Sequence, residues 1–278
     1  MHNASVMSAS ASKLAIEVSH LTKRYGELTA VNDISFTVPQ GQIFAFLGPN
    51  GAGKTTTIKM LTTLLTPTTG NILIEGYSPR DNQDAVRRSF GIVFQDGSLD
   101  EELTAAENME YHGVLYQVPV KLRRQRTKEL LQIVELWDRR HDLVKTFSGG
   151  MRRRLEIARG LLHHPKIFFL DEPTVGLDPQ TRNKIWEYIK LLNQKEGITI
   201  FLTTHYMEEA EKMASAIAII DHGQVVAQGN LKSLLEKTHT KTLEAAFLAL
   251  TGNTIREEQA TATDHLKMMR RMHQGRRS

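Results

Sequence analysis

Leu14, Ile16 and Val18 recur at every second position, and Ile34, Phe36 and Val38 do so again. Alternation sends successive side chains to opposite faces, so the first forty residues read as antiparallel strands with one buried face. The pattern then changes. Gln42-Ile43-Phe44-Ala45-Phe46-Leu47 is a short apolar run bounded by Gly41 and Gly48, which predicts a buried strand of a parallel sheet. Ile58, Leu61, Leu64 and Leu65 follow at helical spacing, with Pro67 and Gly70 beyond the expected helix end.

Gly91-Ile92-Val93-Phe94 reads as another strand, after which residues from about 100 to 145 turn helical. Thr104-Ala105-Ala106-Glu107 is a capping box that opens one helix. Leu122, Leu130, Leu131, Val134 and Leu136 give a second helix its apolar face after Pro119. Strands return at Ile167 to Leu170, Ile198 to Leu202 and Ala216 to Ile220, with helical segments between them. The expected fold is therefore an α/β core with an antiparallel β subdomain and a helical insert at about 100–150, spanning residues 14–253. Residues 1–13 read as a flexible N-terminus and residues 254–278 as a polar, basic tail.

The chemistry begins at the end of the Gln42–Leu47 strand. Gly48-Pro49-Asn50-Gly51-Ala52-Gly53-Lys54-Thr55-Thr56 fits the G-x-x-x-x-G-K-[ST] phosphate cradle of P-loop NTPases, whose core is RecA-like. Glycines let backbone N–H groups close around phosphate oxygens, the following helix points its positive dipole end at the same charge, and Lys54 adds a cation. Farther on, the Ile167–Leu170 strand delivers Asp171 and Glu172 to the ligand edge of the sheet. Paired with the cradle, Asp171 can hold the water shell of a Mg²⁺ ion bound by the Thr55 hydroxyl, and Glu172 can orient and deprotonate an attacking water.

Composition narrows the class. The chain has 40% hydrophobic and 24% charged residues, an ordinary soluble balance, and its longest apolar runs are strand-sized, far short of a membrane span. Any membrane role must come from a partner. With no cysteine there are no disulfides and no thiol metal ligands or nucleophiles, and the small, polar stretch from Met1 to Lys13 lacks a signal peptide's character, so the reading is cytoplasmic. The net charge of +4 is carried by the tail, where Lys267, Arg270, Arg271, Arg276 and Arg277 follow Leu266 without an acid; the remainder has one net negative charge. No nucleic-acid partner is expected. Arg123-Arg124-Gln125-Arg126 and Arg152-Arg153-Arg154 read as solvated helix faces.

With cradle and acidic pair in place, residues 14 to about 235 resemble the nucleotide-binding subunit of an ABC transporter. The family's signature, ideally Leu-Ser-Gly-Gly-Gln, is matched by Phe147-Ser148-Gly149-Gly150-Met151, with departures at the first and last positions. A Ser hydroxyl, two approachable glycines and a helix start remain, which is what a phosphate needs. Met151, Leu155, Ala158 and Leu162 supply that helix's buried stripe. The resemblance implies that Gln95 touches the metal and the attacking water, that His205 contacts the γ-phosphate, that Tyr25 stacks on adenine, and that Asp178 belongs to the loop Gly176-Leu177-Asp178 near the nucleotide. Asp178-Pro179 is also a good helix start, and the two readings are compatible. ATP and Mg²⁺ are the implied cofactors. The implied assembly is a homodimer, two subunits closing head to tail over two nucleotides, on a separate transmembrane permease at the cytoplasmic face of the membrane.

Phe147 to Leu155, together with Leu243-Glu244-Ala245-Ala246-Phe247-Leu248-Ala249-Leu250-Thr251-Gly252, is similar to the daunorubicin-type drug-export ATPases. Export of a drug-like or lipid-like compound is the expectation; import, and a soluble ABC ATPase acting on nucleic acid or protein assemblies, are the alternatives. A dehydrogenase is excluded because after Gly51 and Gly53 the third position of G-x-G-x-x-G is Thr56. A GTPase is excluded because Asn183-Lys184 continues with Ile185-Trp186, without the Asp expected at the fourth position.

Overall fold

The structure is a computed structural model that describes residues 13–252. The readings of a flexible start over residues 1–12 and of a basic tail lie outside the described residues. Within them the chain runs β1 (Leu14–Tyr25), β2 (Leu28–Pro39), β3 (Ile43–Leu47), α1 (Lys54–Leu61), β4 (Thr69–Ile74), α2 (Gln83–Ser89), β5 (Phe90–Val93), α3 (Ala105–Leu115) and α4 (Val120–Ile133). It continues α5 (Gly149–Gly160), β6 (Ile167–Asp171), α6 (Pro179–Glu196), β7 (Thr199–Thr204), α7 (Met207–Met213), β8 (Ala216–Asp221), β9 (Gln224–Gly229), α8 (Leu231–Thr238) and α9 (Leu243–Thr251).

Two sheets form. The smaller has the order β2-β1-β4 and is antiparallel throughout. The larger has the order β5-β6-β7-β3-β8-β9, parallel except for β9, which pairs antiparallel with β8. β3 therefore lies inside the large sheet, and both of its faces are covered. Phe44 and Phe46 point one way, against Phe36 of β2 and Phe201 of β7, with ring centroids 5.4–6.0 Å apart. Ala45 and Leu47 point the other way, into a core shared with Leu155, Leu170 and Leu202. Each fully buried large apolar side chain is worth about 1.5–3 kcal/mol over its exposed state, so the strand's two faces rigidly fix the loop that leaves its end.

The alternating strands, the α/β core and the helical insert appear where the sequence puts them, and Thr104 and Glu107 close the expected capping box at the start of α3. Several details differ. α1 stops at Leu61, because Thr63 turns into the left-handed region, and Leu64 is left exposed rather than on a buried helical face. Leu122 is also exposed, while Leu130, Leu131, Val134 and Leu136 are buried as expected. The Arg123 cluster is not simply a solvated face: Arg123 forks onto Glu110 and Arg126 onto Glu196, tying α4 to α3 and to the end of α6. Among the described residues no helix is long and apolar enough to cross a membrane.

Candidate active site

The cradle leaves β3 at Gly48, and its geometry admits only glycine at two positions. A Cβ on Gly48 would stand 2.4 Å from the carbonyl oxygen of Ile220, and one on Gly53, at φ 107°, would stand 2.7 Å from that of Ala30. Gly53 caps α1 without any side-chain acceptor, so the first N–H groups of α1 are offered to an anion in the concavity. Lys54 is buried, and its ammonium donates to the carbonyls of Gly48 at 2.8 Å and Pro49 at 3.1 Å. Thr55 and Thr56 lie half-buried in the first turn of α1. The pocket is one a nucleotide triphosphate tail fits: steric space at Gly48 and Gly53, free helix-start donors and one fixed cation.

Beside it, β6 delivers Asp171 and Glu172, both buried. The parallel pairing of Asp171 with Thr203 of β7 lets the Thr203 hydroxyl donate to Asp171 at 2.6 Å, while the backbone N–H of Glu172 reaches the Thr203 carbonyl at 3.1 Å. Glu172 itself sits at φ 47°, a left-handed conformation that costs a non-glycine residue about 1–3 kcal/mol and persists because the surroundings over-determine it. Its carboxylate lies between two bases, 3.1 Å from the Lys54 ammonium and 3.2 Å from Nδ1 of His205, which follows β7. Burial opposes ionisation of Glu172, but the hydrogen bond from His205 and the Lys54 cation together outweigh it and hold the carboxyl below its usual range. The sequence places Lys54, Glu172 and His205 far apart; the order of β6, β7 and β3 in one sheet brings them together.

The remaining expected residues lie on other segments of the chain. Gln95 is exposed, two residues beyond β5, which pairs with β6. Tyr25 closes β1, is 48% exposed, and has the Lys23 ammonium 5.2 Å from its ring centroid. Ser148 caps α5 by accepting from the Met151 N–H at 3.3 Å and is itself exposed. A Cβ on Gly149 would meet nothing within 4 Å, whereas one on Gly150 would stand 2.6 Å from the Thr181 side chain. Asp178 is the N-cap of α6, accepting from the N–H and hydroxyl of Thr181, and those hydrogen bonds hold its carboxyl below the usual range. The cap and the signature thus meet across Thr181.

Two buried groups were not singled out by the sequence reading. Arg153, read as part of a solvated arginine run, is buried and bonded to backbone carbonyls at the edge of the site. Its neighbours Arg152 and Arg154 do lie nearer the surface, on Glu101 and Glu135. Glu209 of α7 is buried and accepts from the hydroxyls of Thr174 at 2.6 Å and Thr204 at 2.9 Å, joining the segment after Glu172 to the one that carries His205. A glutamate and an arginine at core-facing helical spacing were the only signals available.

The family described as ABC transporter matches residues 31–175. The chain is 45% identical over 220 residues to the daunorubicin/doxorubicin resistance ATP-binding protein DrrA of Streptomyces peucetius, a match covering 79% of this chain and 66% of that one. It is 41% identical to the linearmycin resistance ATP-binding protein LnrL of Bacillus subtilis (strain 168), over 82% of this chain and 73% of the relative. Among solved structures it resembles a dimeric, post-hydrolysis ATP-binding cassette bound to ADP and Pi, with 30% identity and a TM-score of 0.70 over 78% of this chain and 98% of the other. A phosphate cradle on a buried strand, an acidic strand end facing it and these matches together establish that the chain belongs to the ABC transporter family, as an ATP-binding and ATP-hydrolysing subunit.

Proposed function

We propose that the chain powers export of an amphiphilic, drug-like or lipid-like compound through a separate transmembrane permease, working as a homodimer at the cytoplasmic face of the membrane. The names of relatives that confer resistance to daunorubicin, doxorubicin and linearmycin support the direction and the substrate class. Exposed apolar side chains on the helical insert, Tyr111, Val114, Leu115, Val120 and Leu122, support a docking partner on that side.

In this reading Gly48 to Thr56 cradle the phosphates of ATP, with Lys54 as their cation and Tyr25 against the adenine. Thr55, Gln95 and Asp171, oxygen donors of the kind Mg²⁺ prefers, would hold that ion, which would supply charge neutralisation at the phosphates. Glu172 is the general base for the attacking water, oriented by Gln95, while His205 donates to the terminal phosphate. Arrival of phosphate draws Lys54 away from Glu172, so the cation that restrains the carboxylate is diverted when substrate binds. Ser148 to Gly150 complete the site of the second subunit, with Asp178 alongside.

The observation that carries this reading is the Glu172 carboxylate buried between Lys54 and His205 at the mouth of the cradle. Replacement of Glu172 by Gln keeps the shape and removes the base. ATP should still bind and the dimer should still close, while turnover falls by about 10²-fold or more. Near-normal turnover would sink the assignment.

A further inference from the structure

Arg153 and Glu156 form a buried ion pair one turn into α5, 3.0 Å apart and 7% and 4% exposed. A pair this buried is a poor stabiliser, since desolvation offsets most of the attraction. Its remaining hydrogen bonds all run to segments that flank the site. The Arg153 guanidinium donates to the carbonyl of Phe94 at 2.6 Å, of Pro173 at 2.7 Å and of Glu172 at 3.3 Å. The carbonyl of Phe94 belongs to the peptide unit whose nitrogen is that of Gln95. On the far side of Gln95, the other Glu156 oxygen accepts from the Ser98 N–H at 2.7 Å and from its hydroxyl at 3.2 Å. Arg159, one turn farther along α5, donates to the Ser98 carbonyl at 2.7 Å. The loop from 94 to 98 is therefore gripped at both ends, and the same guanidinium holds the backbone of Glu172.

We propose that Arg153 and Glu156 are a positioning pair for hydrolysis: they set Gln95 and Glu172 relative to each other and lock both to helix α5, whose first residues are Ser148 to Gly150. The inference rests on the roles proposed for Gln95 and Glu172. Only a planar fork with several donors reaches three carbonyls and a carboxylate at once; a lysine ammonium is a single point. The adjacent arginines have no such reach: Arg152 bonds Glu101 and the Lys145 carbonyl, and Arg154 the Val134–Glu135 turn.

Arg153→Met strips three carbonyls of their donor and should lower the melting temperature, so the test uses milder variants of the full chain. In Arg153→Lys and Glu156→Ala, assayed well below their melting temperatures, ATP affinity should stay within about twofold of wild type while kcat falls about fivefold or more; Glu156→Ala, which leaves the Arg153 cation buried without its partner, should also melt lower. Glu156→Gln, which keeps an acceptor for Ser98, should recover most of the lost kcat, and Arg154→Met should leave kcat within about twofold. Wild-type kcat in both Arg153→Lys and Glu156→Ala would overturn the proposal, as would a loss matched by equal losses of ATP affinity and melting temperature, which marks a plain structural brace. Glu172→Gln, assayed in parallel, separates the two readings: if it is inactive while Arg153→Lys and Glu156→Ala are normal, only the positioning role falls. If Glu172→Gln is active, the assignment of the base falls and the positioning role falls with it.

Discussion

The molecule presents two glycine-bearing loops that we propose as phosphate sites, and they differ in how much of the reason for them lies within the chain. At Gly48 and Gly53 the protein itself forbids a side chain, because the carbonyls of Ile220 and Ala30 stand where a Cβ would go. At Gly149 nothing in the chain does, and Ser148 beside it is exposed, its oxygen engaged with its own helix. In the proposed dimer, a glycine that no neighbour within the chain requires, at an exposed helix start, is accounted for by a phosphate held by the other subunit. One loop is shaped by its own chain; the other, in the proposed dimer, is shaped for the nucleotide held in the cradle of the second chain.

The difference can be broken by substitution. Lys54→Ala removes a direct cation from the cradle and should weaken ATP binding by about 1.5–3 kcal/mol, ten- to a hundredfold in Kd, in a binding titration. Unchanged affinity would remove Lys54 from the phosphate site. Gly48→Ala forces the Ile220 strand aside and should cost about 1–3 kcal/mol of folding stability, seen as a lower denaturant midpoint.

Acid should loosen the packing between α3 and the far end of α5. His112 of α3 and His163, just beyond α5, share an aromatic cluster with Tyr116, and burial pushes their pKa values down to about 3 and about 4 from 6.5. Because the folded values lie below the unfolded ones, the folded state binds fewer protons, so stability is full above pH 6.5 and declines as pH falls. Between pH 7 and 5.5 the loss should be about 2 kcal/mol, and a His112→Phe, His163→Asn double variant should lose much less over that range. A pH-independent melting temperature in the wild type would contradict the burial argument. The smallest effect belongs to Gly149→Ala, which should change stability by no more than about 0.5 kcal/mol yet depress turnover of the assembled dimer. Full turnover there would mean that nothing approaches Gly149 closely.

How far the sequence foretells all this follows the same division between local and non-local causes. The cradle was legible because one short segment contains the strand end, the glycines, the cation and the helix start. β3 and β6 were legible because strands buried on both faces are apolar throughout, even though their bounds move by a residue. β4 and β9 were not, since an exposed face dilutes their apolar signal: Thr69, Gly70, Asn71 and Leu73 all stand in solvent, as do Gln224 and Gln228. The helix after the cradle was drawn too long because Leu64 keeps the spacing after Thr63 has broken the backbone. Arg153 was misread for a different reason. An arginine's burial depends on whether carbonyls from distant loops converge on it, and nothing in Arg152-Arg153-Arg154 distinguishes the middle member.

The central claim, that each hydrolytic site is shared between two chains, is tested most directly by mixing two inactive variants. Lys54→Ala disables the cradle and Ser148→Arg the facing helix start, so each homodimer carries its lesion in both sites. A mixed dimer collects both lesions in one site and leaves the other intact. With random exchange about half the dimers are mixed, and the account predicts recovery of about a quarter of wild-type ATPase activity on mixing, from two preparations that are inactive alone. A Ser148→Arg homodimer that hydrolyses ATP at the wild-type rate would contradict it.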